Sequence, residues 1–463
     1  MKIFKHHIPS ITLSLFVAEA FVLIASVYIG AALRFYGDNF LLLPKFDHFF
    51  WLACFFSMVM LFSMSLFGMY RSNYREDTRN ILLRLMPSFL LGFVILTSFF
   101  YLLPNLDFGR GVLGIVIIVA FILLLLVRTI FYHTYEFGLI ESRILFLGCG
   151  SLARECSELA MNNINHHNYK IAGFVKIKNE KCQVRSSSVL SREKPLIAHL
   201  MESKANEIIV AVDDRREGNF PIQQLLQCKL NGIKVTDASS FFEREAFQIR
   251  VDTLQPSWLI YGSGFDQSFW RAFVKRIVDL FSSILILLVA FPFMLITAIC
   301  IYIEDRSPIF YKQERVGRNG RTFMVLKFRS MRNDAEKGID PQWATNNDPR
   351  ITRVGKIIRK LRIDELPQIF NVCVGDMSFV GPRPERPFFV QQLNEQIPFY
   401  NVRHSIKPGI TGLAQVRYQY GSSVEDSLQK LQYDLYYVKN NSWFLDVLIL
   451  IDTFQVVLLG KGQ

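Results

Sequence analysis

The sequence predicts a membrane α plus α/β protein: a four-helix transmembrane bundle, a Rossmann-like cytoplasmic domain, and a second α/β domain carried on a re-entrant membrane helix. Three observations predict it. The 463 residues are 51% hydrophobic and 14% aromatic, too apolar for an ordinary soluble enzyme of this length. A short strand, a glycine turn and an amphipathic helix follow one another in "RILFLGCGSLARECSELA" (143–160). A later apolar run, 281–303, is centred on a proline and carries cations on both flanks.

The bundle, residues 1–140, comes from four stretches, 8–33, 49–70, 85–106 and 111–127, uncharged except for Glu19. Each is near the ~20 residues that span a bilayer core. The first is too long for a cleaved signal peptide and leads into further spans. Lys2 and Lys5 precede it, and Arg71, Arg75, Arg79 and Arg84 lie between the second and third. The positive-inside rule therefore puts both groups on the cytoplasmic face, and four crossings return the chain there. Glu19 would be costly against lipid, so it is expected to face other helices or the interface. The net charge of +12 surrounds the membrane segments and the last third of the chain. That argues against a nucleic-acid partner and for the lipid bilayer and phosphorylated substrates. Seven cysteines with no Cys-x-x-Cys pair indicate neither a disulfide framework nor a zinc site, in keeping with a reducing compartment.

Residues 141–260 read as the Rossmann-like, CoA-binding-like domain, with later strands at "NEIIVAVDD" (206–214) and "GIKVTDA" (232–238). Gly148, Gly150 and Ala153 form a G-x-G-x-x-A turn that can cradle a pyrophosphate at a helix N-terminus. A module that packs or regulates without binding a dinucleotide fits equally. Lys176 and Lys178 stand where an acidic residue would be expected for the ribose.

The run 281–303 is long enough to span. Arg271, Lys275 and Arg276 precede it, and Arg306, Lys312, Arg315, Arg318 and Arg321 follow it, whereas a spanning helix is basic on one side only. Pro292 at its centre removes a backbone hydrogen bond and clashes with the preceding turn, so the helix is expected to break there. Each half then reaches about half of a ~30 Å core. The expectation is a re-entrant hairpin within the domain 270–463; the alternative, a kinked span, would strand that domain outside.

Beyond it, "FYKQERVGRNGRTFMVLKFRSM" alternates apolar and polar residues around Asn319-Gly320, a β-hairpin signal. "PRITRVGKIIRKLRIDELPQIF" carries a helical apolar stripe at 354, 357, 358 and 361 with a basic opposite face. Pro367 must stand in a first helical turn or just past a helix end, so Asp364 and Glu365 lie near a terminus. Two adjacent acids before a hydrophobic run are commonly an N-terminal cap. Their company suggests more. Gly375-Asp376-Met377-Ser378, Gly381-Pro382-Arg383-Pro384-Glu385 and "RHSIKPGITGLAQV" follow. Cations around two carboxylates suit a reaction on a phosphate ester, with one acid holding a divalent metal and the other attacking phosphorus.

"KFRSM", "IDELPQIFNVCVGDMSFVGPRPE" and "KPGITGLAQV" resemble, in order and over about residues 270–463, the bacterial sugar transferase family of monotopic phosphoglycosyl transferases. With four preceding spans and a Rossmann-like module, the chain resembles the long polyprenyl-phosphate hexose-1-phosphate transferases of exopolysaccharide biosynthesis. Similarity near the N-terminus and in "FFEREAFQIRVDTLQPSWLIYG" points to the exosortase-associated branch. The resemblance implies transfer of a sugar 1-phosphate from a UDP-sugar to polyprenyl (undecaprenyl) phosphate, releasing UMP. It implies Asp364 as the nucleophile, Glu365 as a ligand of Mg2+, and Arg359 and Arg383 as phosphate-binding residues, with Lys327 and Arg329 as further candidates. It also implies a proline-broken membrane helix, matched by Pro292, although the break is commonly Ser-Pro and Phe291 stands here. The implied location is the bacterial inner (cytoplasmic) membrane, multi-pass, with the catalytic domain on the cytoplasmic face. Homo-oligomerisation and polysaccharide-assembly proteins are the further partners it suggests.

Two other readings compete. A membrane-anchored nucleotide-sugar dehydratase or epimerase generally needs a Tyr-x-x-x-Lys pair, and none of the seventeen tyrosines has lysine four residues on. A non-catalytic export scaffold leaves the dyad and phosphate motifs unexplained, though it suits the first 260 residues. Of eight histidines only His404 lies in a motif, where a structural role is expected. The C-terminal "YDLYYVKNNSWFLDVLILIDTFQVVLL" suits either an interfacial helix or a packed core helix.

Overall fold

A computed structural model describes residues 2–3, 6–7, 10–35, 46–70, 78–103, 110–136, 142–161, 169–177, 180–185, 189–190, 194–213, 220–252, 268–306, 308–332, 350–418, 421 and 423–458. Arg71, Arg75 and Lys178 lie outside them. The chain forms two compact units, chiefly His7–Phe247 and Gln248–Gln463.

The first unit opens with four apolar helices, α1 (Ser10–Arg34), α2 (Phe46–Leu66), α3 (Thr78–Leu102) and α4 (Arg110–Glu136). With one helix of the second unit, they make five among the described residues that are long and apolar enough to cross a membrane. This is a membrane protein. Leu23, Phe56, Leu85 and Val116, one from each helix, meet in a common core. Glu19 faces that interior, fully buried. It accepts hydrogen bonds from Arg128 Nη2 at 3.0 Å and Tyr70 Oη at 2.5 Å, and Arg128 Nη1 also donates to Met69 O. A charge inside an apolar layer is retained where a partner compensates it.

A parallel five-stranded sheet with helices follows: β1 (Ser142–Leu147), α5 (Ser151–Met161), β2 (Tyr169–Val175), β3 (Val189–Leu190), α6 (Leu196–Ser203), β4 (Glu207–Val210), α7 (Ile222–Leu230), β5 (Lys234–Asp237) and α8 (Ala238–Glu245). The strand order is β3-β2-β1-β4-β5. Alternation along β1 sends Ile144 and Phe146 into one core, Leu145 and Leu147 into the other, as pleated geometry requires.

At the glycine turn the structure is specific. Gly148 adopts φ 119°, and a Cβ there would stand 2.1 Å from Ala211 O, so only glycine fits. The backbone donors that a pyrophosphate would use are occupied. Cys149 N and Gly150 N donate to Glu180 at 3.0 and 3.1 Å, and Ser151 N and Leu152 N donate to Asp213 at 2.9 Å. Two internal carboxylates stand where an anion would sit. The cysteine expectation also needs correction: Cys149 and Cys182 form a disulfide, their Cα atoms 4.7 Å apart. Sequence spacing does not reveal it because the fold, not the 33-residue separation, brings the pair together.

The second unit begins with Gln248 and Ile249, which bond to Gln429 and Gln432. Its elements are α9 (Phe269–Asp305), β6 (Phe310–Val316), β7 (Thr322–Phe328), α10 (Arg353–Lys360), α11 (Gln368–Val374), β8 (Ser378–Val380), α12 (Pro387–Gln396), β9 (Gly409–Thr411), α13 (Leu413–Arg417), α14 (Val424–Asn440) and α15 (Trp443–Leu458). The hairpin is present, antiparallel from Phe310↔Phe328 to Val316↔Thr322, with Asn319 and Gly320 both at positive φ. Of the C-terminal helices, α14 is a core helix that buries Leu435, Tyr436 and Tyr437.

The expected break at Pro292 is absent: α9 is helical through it. Buried Asp279, Ser283, Ala290, Met294, Thr297 and Ile301 recur at helical spacing on both sides of the proline, and Ala290 and Met294 share a cluster with Phe328 and Ile358. That continuous seam holds the helix where the proline alone would interrupt it. Both ends are tied to the same unit. Lys275 Nζ donates to Asp446 at 2.6 Å, and Arg276 donates to Val372 O and Cys373 O, capping α11. Glu304 at the far end accepts from Arg353 N and Val354 N, at the start of α10.

Candidate active site

Thr352 caps α10 through its Oγ1, which accepts from Gly355 N at 2.9 Å. The helix ends at Lys360, and Arg362 then takes φ 58°, a left-handed conformation that non-glycine residues seldom adopt. This reversal starts the short 3-10 turn Ile363–Glu365, and Pro367 heads α11 directly after it. The two acids thus sit near a helix terminus, as Pro367 requires. Asn371 on α11 accepts from Leu326 N at 3.0 Å and donates to Met324 O at 2.8 Å. It pins β7 beside the turn, so that Lys327 meets the dyad.

The acids have unlike surroundings. Glu365 Oε1 accepts from Lys327 Nζ at 2.9 Å and from Arg383 Nη2 at 3.3 Å. Burial opposes its charge, yet Lys327 and Arg383 hold its carboxyl well below the usual carboxylate range. Asp364 is 9% exposed, and its carboxylate accepts no hydrogen bond among the described residues. Burial and the neighbouring Glu365 charge push its pKa up, against Lys327, Arg359 and Arg362. Burial in turn pushes the Lys327 ammonium down. Arg359 is oriented by its Nε, which donates to Ser330 Oγ at 2.9 Å.

Of the sequence-predicted residues, Asp364, Glu365, Lys327, Arg359 and Arg383 therefore converge. Arg329 is buried, its backbone N–H bonds Ile309 O, and among the described residues neither acid accepts a hydrogen bond from it. Pro292 is exposed on α9, off the buried seam that holds the helix. His404 is buried, and burial with the Arg403 charge pushes its imidazole down to about 3, which suits a structural role. No sequence signal marks Arg362 or Asn371 as site residues. The dyad's position after a helix stop hinted at an unusual turn, but no spacing rule marks the asparagine.

The motifs G-P-R-P and K-P-G-I-T-G meet as well. Strands β8 and β9 pair in parallel, Ser378↔Gly409 and Val380↔Thr411. A Cβ on Gly409 would lie 2.1 Å from Gly381 N, and one on Gly412 would lie 2.2 Å from Gly381 O. Only glycine lets these backbones approach so closely.

No group of three His, Cys, Asp or Glu converges among the described residues, so those residues form no complete metal cage. The donor set, Glu365 with Asp364 adjacent, fits Mg2+, which is commonly held by one or two carboxylates and completed by water and substrate phosphates.

Residues 270–460 match the model of the bacterial sugar transferase family. The chain is 43% identical over 238 residues to the UDP-N-acetylgalactosamine-undecaprenyl-phosphate N-acetylgalactosaminephosphotransferase of Aeromonas hydrophila, covering 51% of this chain and 55% of that protein. It is 41% identical over 198 residues to the undecaprenyl-phosphate glucose phosphotransferase of Komagataeibacter xylinus, covering 42% and 37%. These two are matched over about half of their length or less. The exopolysaccharide production protein PSS of Rhizobium leguminosarum bv. phaseoli is 41% identical over 195 residues, 41% of this chain and 98% of PSS. A dyad ringed by cations, on a domain that matches the family model and accounts for nearly all of one relative, settles the membership: this chain belongs to the bacterial sugar transferase family.

Proposed function

We propose that the protein transfers a sugar 1-phosphate from a UDP-sugar to polyprenyl phosphate, giving polyprenyl-diphosphate-sugar and UMP, the initiating step of exopolysaccharide assembly. One observation carries this most: Glu365 is committed to Lys327 and Arg383, whereas the adjacent Asp364 carboxylate accepts no hydrogen bond among the described residues. Such a division suits a charge-organising acid beside a nucleophile. Ionised Asp364 attacks the β-phosphorus; the bond from phosphorus to the bridging oxygen breaks, and UMP departs with that electron pair. Arg359 and Arg383 neutralise the phosphate oxygens during this step. An oxygen of the lipid phosphate then attacks the aspartyl phosphosugar and restores the Asp364 carboxylate. The lipid phosphate is already anionic, so no general base is required. When bound, Mg2+ supplies further neutralisation of the diphosphate, with Glu365 as its protein ligand.

The first four helices form a transmembrane bundle, the parallel sheet is a Rossmann-like module, and the catalytic domain lies on the cytoplasmic face of the bacterial inner membrane. Helix α9, bound to the catalytic domain at both ends, keeps that domain on one side and presents its outward apolar face to lipid. The relatives' names include glucose and N-acetylgalactosamine, so both UDP-sugars belong in the test. Purified protein is offered each labelled UDP-sugar with and without polyprenyl phosphate. Labelled lipid product is expected with one sugar, and exchange of UMP into that UDP-sugar without lipid. UMP release that strictly requires lipid phosphate would replace the covalent step with direct attack by the lipid.

A further inference from the structure

Segment 382–385, Pro-Arg-Pro-Glu, has neither helix nor strand, and its prolines lack a backbone N–H. Its carbonyls are the main groups by which the fold can hold it. All four are bonded. Pro382 O accepts from Gly409 N at 3.0 Å, and Arg383 O accepts from Arg403 Nη2 at 2.9 Å. Pro384 O accepts from Arg315 Nη1 at 3.0 Å, and Glu385 O accepts from Val316 N at 2.9 Å. An irregular segment with each carbonyl held in this way keeps a fixed path.

Arg403 is the donor at the critical point, because the carbonyl it holds belongs to the residue whose guanidinium reaches Glu365. It is itself fixed. Arg403 is 5% exposed and Asp434, on α14, is 2% exposed. Arg403 Nε lies 3.0 Å and Nη2 2.8 Å from Asp434 Oδ2, while Nη1 donates to Tyr400 Oη at 2.7 Å. One planar fork therefore joins the 3-10 turn Tyr400–Ser405, α14 and the Pro-Arg-Pro-Glu segment. A lysine ammonium is a point charge and cannot meet the same three partners.

We propose that Arg403, anchored by Asp434, is a positioning residue that aims Arg383 at Glu365 and at the nucleotide diphosphate. The inference rests on the transferase reading of the dyad. A misplacement of about 1 Å can cost on the order of 100-fold in rate, which sets the expected scale.

The test uses the full chain in nanodiscs, as wild type, Arg403→Lys, Arg383→Lys and the double variant. Two quantities are read: turnover of the UDP-sugar, and hydrogen exchange of the amides in 381–386. Arg403→Lys is expected to speed exchange in 381–386 but not in α11, to raise KM for the nucleotide sugar, and to lower kcat/KM roughly 10- to 100-fold. In the Arg383→Lys background it should cost little more, because both changes act through one side chain. Asp434→Asn, which keeps the fork and removes its anchor, should reproduce the exchange effect if Arg403→Lys does not fold. Unchanged exchange overturns the proposal, and so do losses that multiply in the double variant. Faster exchange in a chain that turns over no UDP-sugar supports the clamp and sinks the transferase reading instead.

Discussion

Lys327 Nζ stands 2.9 Å from Glu365 Oε1, and Arg383 Nη2 stands 3.3 Å from the same oxygen. Two cations therefore converge on one member of the dyad, while among the described residues Asp364 meets Lys327, Arg359 and Arg362 through space. Adjacent carboxylates in a partly buried site oppose each other's ionisation. The imbalance of partners decides which acid gives way: Glu365 stays charged, and Asp364 bears the cost as a raised pKa.

A pH dependence follows from that asymmetry. Asp364 must be ionised to attack, so single-turnover UMP release should rise with pH through a midpoint above the ordinary aspartate value of about 3.9. Glu365→Gln removes the repelling carboxylate and frees Lys327 and Arg383 to favour the Asp364 anion. The acid limb of the residual activity should therefore move to lower pH. A limb that moves up, or stays in place, would mean another group controls it.

The two acids should also differ in how they fail. Asp364→Asn keeps the shape and removes the attacking anion, so UMP release, exchange and transfer should all be lost. Mass spectrometry of wild-type protein quenched after incubation with UDP-sugar alone should find the phosphosugar on Asp364. Glu365→Gln should retain activity that needs more Mg2+, roughly 10- to 100-fold more if it is the ligand. Substantial turnover by Asp364→Asn would reassign both acids to metal or general-base roles.

What the sequence made legible and what it hid divide along a physical line. Asn319-Gly320 announces its hairpin because both residues tolerate positive φ, and Pro367 places the dyad at a terminus because it lacks an N–H. These are local rules acting within a few residues. Asn371 bridging to β7 and Arg403 holding Arg383 O answer to partners 20 to 47 residues away, and no local rule reaches them. Pro292 fails in the opposite sense. Its local rule is sound, but the seam from Asp279 to Ile301 overrides it.

That seam makes a membrane prediction. Single cysteines at positions 268 and 306, the two flanks of α9, should react with an impermeant reagent from the same side. Because the helix already runs through Pro292, Pro292→Ala restores a donor to the ladder without changing the path, and the labelling pattern should persist. Labelling from opposite faces would make α9 a crossing. Loss of same-side labelling in Pro292→Ala alone would show that the proline bends the helix in the bilayer.

The last prediction concerns the sheet domain of the first unit. Cys149 lies inside the glycine turn and is joined to Cys182, while Glu180, two residues before Cys182, fills the turn's donors. The bond closes a loop across a 33-residue separation, and a cross-link of that length stabilises by about 4 kcal/mol in the chain-entropy account. Alkylation of denatured protein without reductant should mark five of the seven cysteines, and all seven after reduction. Cys182→Ser should lower the unfolding temperature of this domain and speed exchange at Cys149 and Gly150, since the loop bearing Glu180 is no longer tethered. Sugar-phosphate transfer at 25 °C should change little, because the dyad and its cations all lie in the second unit. Seven alkylated cysteines before reduction would show that the thiols are free, leaving the Glu180 hydrogen bonds alone to hold the turn.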